Sequence, residues 1–112
     1  MSDTVDDDLW SALGDPTRRR MLDLLLDAGG GTATSLSEQL PVTRQAVTKH
    51  LRVLERVGLV HAAPSGRKRR YQVDEPRLAR AVKQMSSVGA AWDARLQHIK
   101  QIAEAIQRSQ QG

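Results

Sequence analysis

Apolar residues recur along the chain with two different periods, and the change of period divides it. Leu9, Trp10 and Leu13 give residues 6–13 one apolar side, and Asp7 and Asp8 stand where a helix dipole favours acids. That predicts a short first helix ended by Gly14. Asp15 and Pro16 form an N-cap and N1 pair that opens a second helix. Its broad apolar side is Met21, Leu22, Leu24, Leu25 and Leu26, and Gly29, Gly30 and Gly31 stop it. Thr34 or Ser35 is expected to cap a third helix, with Glu38 at capping-box spacing from Ser35 and with Leu36 and Leu40 inward. Pro41 ends that helix and Val42 lies in the turn. Thr43 then caps a fourth helix over residues 44–57, where Val47, Leu51, Leu54 and Val57 recur three and four apart.

After Gly58 the helical period is lost. Leu59 to Ala62 reads as a short strand, Pro64-Ser65-Gly66 as a turn, and Arg69 to Val73 as a return strand with Tyr71 and Val73 on one face. Asp74, Glu75 and Pro76 open a last helix over roughly residues 77–108. Its seam is Leu78, Val82, Met85, Val88, Trp92, Leu96, Ile99, Ile102 or Ala103, and Ile106, a narrow stripe that seeks a partner helix. The fold class is therefore mainly α with one small β-hairpin. The order of elements matches a winged helix-turn-helix. One domain is expected over residues 6–108 behind a flexible acidic tail at 1–5, with the helix-turn-helix at about 33–57 and the wing at about 59–73.

Charge sharpens this picture. The net charge of +4 is unevenly spread. Residues 1–42 carry a balance of −5, whereas residues 43–83 carry eleven Lys or Arg against Glu55, Asp74 and Glu75, a balance of +8. A concentrated positive stretch is the footprint of a polyanion partner. The chain has no cysteine, which removes disulfides, thiolate metal sites and thiol nucleophiles. It has no run of 18 apolar residues and its acidic start is the reverse of a signal peptide, so a cytoplasmic, nucleoid-associated protein without a membrane partner is expected. No nucleophile–base set, Gly-rich phosphate loop or metal-ligand cluster is present, so neither an enzyme nor a cofactor is expected.

The candidate chemistry lies on the fourth helix and the hairpin tip. The apolar stripe of that helix faces the body, which leaves Thr43, Arg44, Gln45, Thr48, Lys49 and Arg52 outward. Arg and Lys suit guanine O6 and N7, Gln suits adenine N6 and N7, and Thr suits a phosphate or a thymine methyl. Arg67, Lys68, Arg69 and Arg70 at the tip suit backbone phosphates. Taken alone, such a run is often only a solvated surface. His50 fits packing with a backbone or phosphate hydrogen bond better than base readout. One of Arg18, Arg19 and Arg20 could contact phosphate or form a salt bridge to Asp15 or Asp23. Asp93 and His98 read as a surface pair rather than a metal site.

The stretches LGDPTRRRMLDLL (13–25), LSEQLPVTRQAVTKHLRVLERVGLV (36–60) and GRKRRY (66–71) resemble the ArsR-type bacterial repressors over roughly residues 6–100. The resemblance implies a homodimer built from the first and last helices, a recognition helix in the major groove, a wing on the flanking backbone, and repression of a promoter. On this chain the dimer contact would fall on Leu9, Trp10, Leu13, Val88, Trp92, Leu96, Ile99, Ile102, Ala103 and Ile106. Founding members of the family sense metals through a cysteine pair on the helix before the turn, where this chain reads SLSEQL, or through Asp and His residues of the last helix, where it offers Asp93 and His98. The segment AAWDARLQHIK (90–100) instead resembles a metal-independent branch, often encoded beside START-type proteins. Trp10 and Trp92 fit a dimer core, with a small-molecule pocket as the other possibility; no effector is specified. The readings left beside that of a DNA-binding repressor are a metal-responsive repressor and a winged-helix module that binds proteins.

Overall fold

A computed structural model describes residues 7–111, so the tail expected at 1–5 lies outside the described residues. The elements are α1 (Asp7–Gly14), α2 (Pro16–Ala28), α3 (Ala33–Ser37), α4 (Arg44–Arg56), β1 (Val60–Ser65), β2 (Lys68–Val73) and α5 (Glu75–Gln111). The strands form one antiparallel hairpin. The expected winged helix-turn-helix architecture is present.

Local chemistry sets the boundaries. The Asp15 carboxylate accepts from the Arg18 amide at 3.1 Å, and Pro16 occupies the first turn of α2. The cap of α3 lies earlier than expected. Thr32, not Thr34 or Ser35, is the N-cap, and it exchanges two bonds with Ser35: Ser35 N–H donates to Thr32 Oγ1 at 3.1 Å and Thr32 N–H to Ser35 Oγ at 2.9 Å. With both donors satisfied there, the helix begins at Ala33 and Glu38 falls at its far end. The hairpin is longer than expected. Its ladder runs from Val60↔Val73 to Ser65↔Lys68, so Pro64 and Ser65 belong to a strand and the turn shrinks to Gly66 and Arg67. Gly66 takes φ 63° at the first turn position, as a two-residue type II′ turn requires. Pro64 is tolerated because a two-stranded hairpin leaves each strand an unpaired edge.

The core joins all the helices to the hairpin. Met21, Leu25, Leu36, Val47, Leu51, Leu54, Leu59 and Val60 are fully buried, and Tyr71 closes the hairpin side. Ala81 and the partly buried Leu78, Met85 and Val88 dock the first third of α5. Beyond Val88 every described α5 side chain is exposed. At 1.5 Å per residue α5 is about 55 Å long, and it dominates the 74 Å long axis of the molecule. Among the described residues no helix is long and apolar enough to cross a membrane.

Two residues expected at a subunit contact are already covered within the protomer. Leu9 and Leu13 are only 5% and 7% exposed, because α1 folds across α2 and turns them into the chain's own core. Trp10 stays 38% exposed. It walls a groove of about 590 Å³ with Leu22, Leu26, Leu78, Val82 and Met85.

Candidate nucleic-acid interface

Helix α4 is built to show one face. Its first turn is closed by Thr43, whose hydroxyl oxygen accepts from the Ala46 amide at 3.1 Å. Val47, Leu51 and Leu54 are wholly buried, and this stripe sets the rotation of the helix. Arg44, Gln45, Lys49 and Arg52 are consequently exposed, and Thr48 and His50 partly so. The Thr48 hydroxyl donates to the Arg44 carbonyl at 3.0 Å, so what it offers outward is a methyl group and an acceptor.

The wing and this helix share a cleft. Thr32, Thr34, Arg44, Thr48, Arg67, Lys68, Arg69 and Tyr71 line a space of about 220 Å³ between the start of α3, the start of α4 and the hairpin tip. The cations of helix and wing therefore converge on one side of the molecule. Within the cleft wall, Arg69 is held at both ends. Its guanidinium donates to Glu55 of α4 at 3.3 Å and lies 5.8 Å from the centre of the Tyr71 ring.

The four wing cations do not act as one cluster. Strand alternation sends Arg70 to the opposite face from Arg69. There it reaches the Gly29 carbonyl at a weak 3.5 Å, beside Gln72, which donates to the same carbonyl at 3.3 Å. Gly30 takes φ 128° at this approach, and a β-carbon there would stand 3.1 Å from the Arg70 guanidinium. Arg67 and Lys68 have no side-chain partner among the described residues and are the free cations of the tip.

Three contacts were not anticipated. Glu55 holds the wing to α4; as the lone acid between residues 43 and 73 it was marked out by charge alone. Arg18 makes no salt bridge among the described residues, and its guanidinium turns to neutral partners. It donates to the Ser11 and Ala12 carbonyls at 2.7 and 2.8 Å and meets His50 Nδ1 at 3.2 Å. His61 pairs with Asp74 at 2.8 Å, joining the base of the wing to the cap of α5. By contrast the Asp93 and His98 side chains make no ion pair or hydrogen bond among the described residues. Five residues apart on a helix, they point to different sides.

Two helix caps carry a pH signature. The Asp74 carboxyl is held below its ordinary value, chiefly by the hydrogen bond from His61 and then by the Arg77 amide. The Asp15 carboxyl is lowered first by the Arg18 amide. A lowered folded pKa adds stability above the unfolded value of about 4, which is lost as pH falls through the folded value. Asp15→Asn and Asp74→Asn should therefore lose less melting temperature than the parent between about pH 6 and pH 3. Parallel melting curves for parent and variants would refute this.

Comparison with known proteins gives a consistent answer. A family model described as a helix-turn-helix domain matches residues 13–61. HTH-type transcriptional regulator Rv2034 of Mycobacterium tuberculosis is 45% identical over 74 residues, covering 65% of this chain and 67% of that protein. HTH-type transcriptional regulator CmtR of Mycobacterium bovis is 42% identical over 85 residues, covering 76% of this chain and 71% of that one. The solved structure of an ArsR-like transcriptional regulator from Rhodococcus sp. RHA1 superposes with a TM-score of 0.63 at 42% identity, over 86% of this chain and 90% of that one. With the helix-turn-helix, the wing and the sequence all in agreement, the chain belongs to the ArsR-type winged helix-turn-helix transcriptional regulators.

Proposed function

We propose that the protein is a homodimeric repressor that reads an inverted-repeat operator. The observation that carries this is the cleft in which Arg44 and Thr48 of α4 face Arg67 and Lys68 of the wing. One duplex can meet both at once. Arg44, Gln45, Thr48 and Lys49 read base edges in the major groove. Arg52, Arg67 and Lys68 grip phosphates, and Arg69 and Arg70 contribute field from their fixed positions.

The dimer is supported by the apolar stripe on the exposed part of α5. Trp92, Leu96, Ile99, Ile102 and Ile106 are each between 48% and 57% exposed on a single protomer, with Ala103 beside them. Stripes of this size on one face mark an association surface. The groove beside Trp10 extends it towards the body, where Val88 is already partly covered. Pairing two protomers presents two α4 helices to successive major grooves, about 34–36 Å apart. Occupancy of such a site within a promoter blocks polymerase.

Binding titrations across salt concentrations separate the roles. Arg44→Ala should cost about 1–3 kcal/mol per half-site and relax preference at one position of each half-site. Joint replacement of Arg67 and Lys68 by alanine should weaken all sequences alike and lower the salt slope by about two per half-site, about four for the dimer on its operator. Unchanged binding by both variants defeats the assignment.

A further inference from the structure

Arg18 belongs to α2, yet it touches the recognition helix. Its guanidinium has three partners on two elements. Ser11 and Ala12 offer the last carbonyls of α1 at 2.7 and 2.8 Å, and His50 offers Nδ1 from α4 at 3.2 Å. The three contacts differ in kind. Those to α1 satisfy carbonyls that a helix end leaves without partners. The contact to His50 crosses from the second helix to the fourth, 32 residues on.

This contact determines the state of the histidine. A guanidinium only donates, and it stays protonated. Nδ1 of His50 must therefore accept, the ring hydrogen sits on Nε2, and the imidazole in this contact is neutral. A neutral ring held in this way keeps one donor, Nε2–H. His50 follows Lys49 on α4 and remains partly exposed.

We infer that Arg18 is a positioning residue for DNA binding: it clamps His50 against the end of α1 so that the Nε2–H of the imidazole is presented to a backbone phosphate. This inference rests on the DNA-binding role of α4 proposed above. It also gives α1 a mechanical part, since the helix that walls the groove with Trp10 ends on the same guanidinium that holds the recognition helix. Arg18 itself makes no direct phosphate contact in this arrangement, because its donors are turned to carbonyls and an imidazole.

Operator binding by Arg18→Met, His50→Ala and the double variant tests this, with salt titrations and melting curves on each. Each single variant should bind about tenfold more weakly per half-site, the size of one hydrogen bond to a charged group, and so about a hundredfold more weakly as a dimer on the operator. The double variant should be no weaker than either single, because both remove the same contact. The salt slope should match the parent in all three, since a neutral imidazole displaces no cation. His50→Ala leaves the α1 carbonyls capped, so it separates the effect on binding from any loss of fold in Arg18→Met. A double variant weaker than either single by a further factor of about ten per half-site would overturn the inference, as would either single binding like the parent. So would a slope reduced by about one per half-site, about two for the dimer, in Arg18→Met, which would make that arginine a phosphate contact in its own right. Should these outcomes occur while Arg44→Ala still relaxes base preference, the DNA-binding role stands and only the clamp fails.

Discussion

Replacing Leu96 and Ile99 with glutamate should give a monomer that binds a palindromic operator on the order of 100-fold or more weakly than the parent. Both side chains are 57% exposed on the protomer and contribute nothing to its core. Burying an aliphatic side chain completely is worth about 1.5–3 kcal/mol, and the stripe on the outer part of α5 offers four, with Trp92 beside them. Two glutamates facing two more across a symmetric contact would reverse that gain with repulsion between desolvated carboxylates. Two half-sites held by one dimer share a large effective concentration, which is lost when the protomers separate. Sedimentation gives the mass and gel shifts the affinity. A single half-site should still be bound weakly, because α4 and the wing are untouched. A variant that sediments like the parent would remove α5 from the subunit contact.

Leu51→Ala should lower unfolding stability by about 2–5 kcal/mol, the range for deleting a large aliphatic group from a packed site. Leu51 is completely buried, in the same core as Leu36, Leu54 and Leu59. Domains of this size have only about 5–15 kcal/mol in total, so the variant should stand near its unfolding transition at growth temperature. The loss of DNA binding would follow from the loss of the helix rather than of a contact. Urea titration should show a lower midpoint with an unchanged slope. A shift worth under 1 kcal/mol would mean that the site collapses around the missing methyls.

Much of this fold was legible because short-range chemistry decided it. Asp15 with Pro16, and Thr43 ahead of a three-four spacing, marked the starts of α2 and α4. The outward residues of α4 followed from the inward ones. Less visible was anything set by a choice between near-equal partners. Thr32, Thr34 and Ser35 are all competent caps, and only the reciprocal bonding of Thr32 with Ser35 selects one. The run from Arg67 to Arg70 looked uniform, but strand alternation divides it between two faces, a distinction that charge counting does not make. Leu9 and Leu13 carried an ambiguous signal. A helix with one apolar side serves an internal core as well as a partner, and composition does not distinguish the two.

The wing is tied to the body at more than one point. Tyr71 and Gly31 exchange backbone bonds of 2.7 and 3.0 Å, and Arg69 is fastened to Glu55. Hence the gap between α4 and the hairpin tip is bounded at two points, like the jaws of a calliper. A calliper selects by width: where groove dimensions differ from its span, the nucleic acid must bend or twist to fit. The energy of that deformation depends on base steps that no side chain touches. Flanking sequence would thus rank operators whose contacted bases are identical.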